Sequence, residues 1–183
     1  MKTFTGIESF SLDAEMLLII ILIGLLTLSA ITDIKWKKIP NALTFPVMII
    51  GLTVHGFKSG GSGFIYSIEG LFLGLALLIV FYFMGMMGAG DVKLMGAVGS
   101  IMGPAGVFKA FLFTAIVGGI YALFVLAYHG QLAGFMKRFA LSVKLSLMTR
   151  GPTLVPNENE SKASRALCYG IAIAAGTSLS ILF

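Results

Sequence analysis

The chain alternates long apolar runs with short polar breaks, and the runs carry almost no charge. Met16 to Thr32 is apolar throughout and ends at Asp33, with Lys35, Lys37 and Lys38 just beyond it. A second run, Ile39 to Gly56, opens with Pro40, which suits the first turn of a helix because the missing N–H costs nothing there. The same run contains Pro46, where a kink is expected. A short loop rich in Gly and Ser, Phe57 to Gly63, leads to a third run, Phe64 to Met87, which ends at Gly88-Ala89-Gly90-Asp91. The fourth run, Val92 to Ile101, is short and Gly-rich. Gly103-Pro104 then predicts a turn into the fifth, Val107 to Tyr128, and the last run is Ala166 to Phe183. A membrane span needs roughly 20 mainly apolar residues, so the pattern predicts an all-α, polytopic membrane helix bundle of about six transmembrane helices.

One stretch departs from this pattern. Between Gln131 and Arg150, Leu132, Phe135, Phe139, Val143 and Leu147 share a helical face, while Lys137, Arg138 and Lys144 fall largely off it. Such spacing predicts an amphipathic helix lying on the membrane surface over 131–150. Residues 151–165 are polar, carry two prolines and read as a cytoplasmic loop. Residues 1–183 are therefore expected to form a single membrane-embedded domain, and the first apolar run is expected to be a retained span rather than a cleaved signal peptide.

Composition sharpens the class. Hydrophobic residues make up 57% of the chain and charged residues 11%, against about a quarter charged in soluble domains. The net charge of +5 is scattered and forms no basic face, so no nucleic-acid partner is expected. The positive charge reports topology instead, because Lys and Arg collect on the cytoplasmic side. The cluster Lys35, Lys37 and Lys38, together with Lys137, Arg138, Lys144, Arg150, Lys162 and Arg165, predicts N- and C-termini outside and these segments inside. A single cysteine, Cys168, excludes an internal disulfide and a cysteine-based zinc site. His55 and His129 fall near opposite faces in this topology, so no metal site and no cofactor are expected, and each reads as an interfacial residue.

Ionisable groups at span ends are costly in a membrane and are functional candidates for that reason. Asp33 closes the first span and Asp91 opens the fourth, both at the predicted cytoplasmic face. Two close carboxylates do not both ionise readily, so a pair shares one proton near neutral pH. The ionised member then draws a proton from water while the protonated member polarises a carbonyl, which is the chemistry of amide hydrolysis without a metal. Gly88 and Gly90 before Asp91 permit close backbone approach and are candidate active-site backbone or substrate-binding positions. Lys93 could tune Asp91 electrostatically or serve as a positive-inside anchor. On the residues alone, a small proton- or ion-coupled transporter and a non-catalytic assembly scaffold remain open beside a protease.

Two longer motifs carry a family resemblance. Asp33-Ile34-Lys35-Trp36-Lys37-Lys38-Ile39-Pro40-Asn41 resembles the first-aspartate segment of the type IV prepilin peptidases, and Gly88-Ala89-Gly90-Asp91-Val92-Lys93-Leu94 resembles their second. Tyr169-Gly170-Ile171-Ala172 resembles the family's final helix, with Cys168 where a proline is usual. The resemblance implies a GxGD membrane aspartic endopeptidase of the bacterial inner membrane, with Asp33 and Asp91 as its catalytic dyad. It implies cleavage of the short basic leader of prepilin- or pseudopilin-like substrates at the cytoplasmic face, after a glycine, in association with pilus-assembly machinery. The longer members carry a cytoplasmic insert with paired Cys-x-x-Cys motifs and also methylate the new N-terminus. No such insert or motif occurs here, so the short form is similar to tight-adherence pilus peptidases and no methyltransferase activity is expected. The archaeal preflagellin peptidases are a further relative that the sequence does not separate.

Overall fold

The computed structural model describes residues 4–84, 87–128 and 169–182. They form an all-helical membrane bundle of four helices: α1 (Phe4–Trp36), α2 (Asn41–Phe83), α3 (Ala89–Tyr128) and α4 (Tyr169–Leu182). Three of them, α1, α2 and α3, are long and apolar enough to cross a bilayer, and α4 is a shorter apolar helix. The amphipathic helix expected at 131–150, the loop expected at 151–165 and His129 lie outside the described residues. By packing, Met1–Val117 with Cys168–Phe183 make one compact unit and Gly118–Leu167 another. The account below concerns the first.

At 43 residues, an unbroken α2 would be about 65 Å long, twice the roughly 30 Å of a hydrocarbon core. It does not run straight. Ser59 (φ −127°, ψ 15°) and Gly60 (φ 60°, ψ −140°) leave helical geometry, and the chain doubles back there. A Cβ at Gly63 would collide with the carbonyl of His55, so the reversal is tight enough to exclude any side chain. The predicted loop at Phe57 to Gly63 thus shrinks to two residues. The kink expected at Pro46 is a different matter: the non-helical residues of α2 are Ser59 and Gly60, and Pro46 lies in helical backbone. Pro46 removes one hydrogen bond without changing φ, whereas Gly60 takes up a left-handed φ that a helix cannot contain. Pro40 also sits one position earlier than expected. It is the N-cap of α2 at φ −65°, ψ 138°, and Leu43 N–H donates to its carbonyl at 3.1 Å.

A second break divides α3 at Gly103 (φ 70°, ψ −176°), followed by Pro104, where the Gly-Pro pair predicted a turn. Pro104 has no N–H, and the glycine aims the chain elsewhere, so the last carbonyls of the first half of α3 lose their helical donors. Water does not reach such groups within a bilayer, and each one left unpaired costs several kcal/mol. Three side chains of α2 replace the missing donors. Ser67 Oγ donates to Ser100 O at 2.5 Å, His55 Nε2 lies 2.9 Å from Ile101 O, and Tyr66 O–H donates to Met102 O at 3.0 Å. The His55 and Tyr66 rings meet edge to face at 5.6 Å. His55, expected to be a plain interfacial residue, therefore completes the end of a neighbouring helix. Tyr66→Phe is expected to cost about 1–2 kcal/mol, read as a fall of roughly 2–6 °C in the thermal midpoint in detergent. An unchanged midpoint would mean that Met102 O needs no cap.

The contacts give the direction of each segment. Asn41, Met48 and Gly51 of α2 meet Lys93, Gly96 and Ser100 of α3, so these halves run parallel. Past the break, Gly70 meets Gly99 and Gly74 meets Met95, so the second half of α2 runs antiparallel to the same helix. At both glycines a Cβ would strike backbone, which sets the two helices at contact distance. Helix α4 packs antiparallel to α1, with Gly170 beside Asp33. Leu22, Leu78, Leu94, Met95, Val98 and Ile173 are among the buried core, whereas Ile20, Phe72 and Ile116 face outward, as a bundle solvated by lipid requires.

Candidate active site

Asp33 occupies the last turn of α1. That helix ends because Lys37 adopts a left-handed conformation (φ 50°), and its N–H returns to the Asp33 carbonyl at 2.9 Å. This is an αL C-cap in which a lysine stands where glycine is usual, at a backbone cost of about 1–2 kcal/mol. The turn swings Ile39 into the core and delivers the chain to α2. The Asp33 side chain is buried at 7% exposure. Its Oδ2 accepts the Gly170 N–H, at the start of α4, at 2.8 Å. Residue 170 has no room for more than a hydrogen: a Cβ there would lie 2.9 Å from Asp33 Oδ2 and 3.1 Å from Asp33 Cβ.

Asp91 is built by the opposite device. It is the third residue of α3, and its Oδ2 accepts the Gly88 N–H at 3.1 Å, while its own N–H donates to Gly88 O at 3.1 Å. That is the side-chain half of a capping box, and it places a carboxylate at the positive end of the helix. Asp91 is 8% exposed, and its Oδ1 makes no hydrogen bond to any described residue. Both candidate aspartates are therefore buried, and each has one oxygen fixed by a glycine amide at the start of a helix.

The ends of these elements converge. Asp33 and Asp91 lie within electrostatic reach of each other, and Tyr169 lies within reach of Asp91. Gly90 rests against Ile39, where a Cβ would approach the Ile39 Cβ to 3.1 Å and its N and O to 3.4 Å. Lys93 Nζ donates to Asn41 Oδ1 at 2.9 Å and stands 5.3 Å from the Phe45 ring centroid, so its amine ties the start of α2 to the start of α3. Gly88 is more open, with Asp91 Oδ2 the nearest atom to a Cβ, at 3.5 Å. Among the described residues, no group of three or more His, Cys, Asp or Glu side chains is placed to hold a metal ion. Chemically, the arrangement offers two buried carboxylates within each other's electrostatic reach, each oriented by a glycine amide.

The sequence model described as the type IV leader peptidase family matches residues 20–123, which takes in both aspartates, the second half of α1, all of α2 and most of α3. The chain belongs to the type IV leader peptidase family. Among relatives of this leader peptidase family, the prepilin leader peptidase/N-methyltransferase of Bacillus subtilis (strain 168) is 29% identical over 115 residues, covering 61% of this chain and 46% of that protein. The chain thus spans about half the length of the curated relative that it matches. No solved structure matches the chain. Three residues at this family site escape a reading of charge and span ends: Gly170, Ile39 and Asn41. Each acts through backbone or through a contact to another helix. Gly170 is signalled by a glycine in the opening turn of an apolar helix, where helix propensity gives it no purpose, and by its place in the Tyr169-Gly170-Ile171-Ala172 resemblance.

Proposed function

We propose that the protein is a membrane aspartic endopeptidase that removes the short basic leader of prepilin-like substrates, with Asp33 and Asp91 as its catalytic pair. The observation that carries this reading is the pair of buried carboxylates, each oriented by a glycine amide and each within the other's field, in a member of the leader peptidase family. One aspartate takes a proton from water, which attacks the scissile carbonyl, and the other donates a proton to the carbonyl oxygen. Collapse of the tetrahedral species breaks the C–N bond: the departing amine takes the proton that the first aspartate drew from water, and a hydroxyl of the new carboxyl group returns a proton to the second. Gly90 lets the segment before Asp91 pack closely against Ile39, and the peptide bond cut follows a glycine.

The reading includes a topology: about six spans, both termini outside and the site at the cytoplasmic face of a bacterial inner membrane. Lys35, Lys37, Lys38 and Lys93 share the end of the bundle that holds the aspartates, and Lys58 lies beside the opposite break, where it pairs with Glu15. That asymmetry supports a cytoplasmic site under the positive-inside rule. The test is incubation of the purified protein with a candidate prepilin and mass analysis of the product. The expected product is a pilin shortened by its leader, with no added methyl group. Intact prepilin after prolonged incubation would overturn the peptidase reading.

The two motif glycines are expected to differ. Gly90→Ala forces the Cβ against Ile39, on the segment that links Asp33 to α2, and is expected to slow cleavage about 3- to 10-fold by displacing the pair. Gly88→Ala meets its nearest atom at ordinary contact distance and is expected to stay within about twofold of wild type. Initial rates of leader cleavage distinguish the two, and equal losses would sink the assignment.

A further inference from the structure

In the described part of the bundle, most buried polar side chains have an evident partner. Thr32, Thr44, Ser67, Ser100 and Ser180 each donate to a backbone carbonyl, and the two aspartates accept from glycine amides. Three hydroxyls are exceptions: Ser29 Oγ, Thr114 Oγ1 and Thr177 Oγ1 have no hydrogen-bond partner among the described residues. They are 0%, 2% and 0% exposed. A helical Ser or Thr commonly satisfies itself on a carbonyl one turn back, as Thr27, Thr53 and Ser178 do here. An unsatisfied buried hydroxyl costs about 1–3 kcal/mol, and three together call for an explanation.

Their placement supplies one. Ser29 lies one turn before Asp33 on the same face of α1, and α1 packs against α4. Thr177 shares its face of α4 with Gly170, the residue bonded to Asp33, and with Ile173. Thr114 comes from α3 and points at α4 beside Thr177, where a Cβ on Gly176 would lie 2.5 Å from its Oγ1. The orphan hydroxyls therefore come from three helices and line the interior just behind one aspartate. Because α1 and α4 run antiparallel from the Asp33–Gly170 contact, Ser29 stands about 6 Å and Thr177 about 10 Å from that contact along the axis. Neither hydroxyl reaches Asp33 or the other directly, and water is the polar partner that can satisfy buried groups left in this way. The polar neighbours reinforce the track: Thr32 and Ser180 occupy the carbonyls of Ser29 and Thr177.

We propose that Ser29, Thr114 and Thr177 bind a file of internal water molecules leading from Asp33 into the bundle between α1, α3 and α4. Its role rests on the peptidase reading: each cleavage consumes one water, and the file holds water beside the pair in a site that lipid and substrate screen from bulk solvent. The water site itself stands on the three hydroxyls alone.

Hydroxyl-radical footprinting of the purified protein in nanodiscs by X-ray radiolysis tests the site without reference to activity, because radiolysis of bound water oxidises the side chains next to it. Ile173 is fully buried and lies between Gly170 and Thr177 on the same helix face. Its oxidation is expected in wild type and is expected to fall at least fivefold in the Thr114→Val/Thr177→Val double variant, which keeps side-chain shape and removes both hydroxyls. Exposed Trp36 serves as the positive control. Absence of Ile173 oxidation in wild type beside a labelled Trp36, or equal oxidation in the double variant, overturns the water site. Cleavage of a prepilin by the same samples tests the role. A loss of kcat of tenfold or more with KM unchanged supports supply of the reacting water, and an unchanged kcat removes that role. A wild-type protein that fails to cleave would instead refute the peptidase reading, and the footprint would still decide whether the waters are bound.

Discussion

Asp91→Asn is expected to lower kcat for leader cleavage by about 10²–10⁴-fold, and Asp33→Asn by a similar factor, because each change removes one partner of a general acid–base pair. The structure makes these substitutions specific. An asparagine amide oxygen at position 91 still accepts the Gly88 N–H that caps α3, and one at position 33 still accepts the Gly170 N–H at the start of α4. The cap, the packing and the volume therefore survive, and the thermal midpoint is expected to stay within a few degrees of wild type. What is lost is the capacity to take and release a proton at that side chain. Because the two groups act as a unit, the double variant is expected to be little worse than either single one. Wild-type turnover by either single variant would remove that aspartate from the mechanism.

Gly170→Ala carries the second largest expected effect. No motif built on Asp33 and Asp91 alone marks this position, yet its Cβ would sit 2.9 Å from Asp33 Oδ2, 3.1 Å from Asp33 Cβ and 3.2 Å from Asp33 Cγ. Neither side can yield easily, since Asp33 is held in the last turn of α1 and residue 170 is in the first turn of α4. Either the carboxylate moves or the helix start backs away, and both break the 2.8 Å bond from the amide. A displacement approaching 1 Å at a reacting group costs on the order of 10²-fold in rate, so kcat is expected to fall 30- to 300-fold with KM near wild type. Gly70→Ala is the control: its Cβ collides with the Gly99 carbonyl of α3, a helix contact that involves neither the aspartates nor the three unpaired hydroxyls, so its expected effect is on thermal stability. If Gly170→Ala loses stability and keeps its kcat, the amide only holds the bundle together.

Much of this arrangement was legible in the chain, for physical reasons that differ by residue. Asp33 and Asp91 stand out because a charge at the edge of an apolar run is expensive and so conspicuous. The breaks at Gly60 and Gly103-Pro104 were readable because left-handed backbone and a missing N–H leave a local signature. Pro46 leaves the backbone angles helical, since its φ already suits a helix and only one donor is absent. The partners of the aspartates were harder. An amide N–H is the same in every non-proline residue, so nothing in the letter G at 170 announces a donor to Asp33. His55 was misread for a similar reason: its job is defined by carbonyls that a break in another helix sets free. Lys93, two residues from Asp91, reads from the sequence as a tuning charge or a positive-inside anchor, and nothing in the chain points to Asn41, which its amine reaches.

The bond between Gly170 and Asp33 joins residues 137 positions apart, and this bears on when the protein becomes active during its own synthesis. A ribosome making about 5–20 residues per second needs about 7–27 s to reach Gly170 after Asp33 has been added. The donors that cap the broken end in α3 come earlier in the chain than the carbonyls that they serve, so the α2–α3 pair can settle as it is made. Asp33 waits for α4 to arrive. A nascent chain that stops short of α4 then holds both aspartates yet lacks the amide that orients one of them. On the peptidase reading, proteolytic competence is therefore expected only once α4 has docked, and a half-made copy in the membrane is expected to cleave nothing.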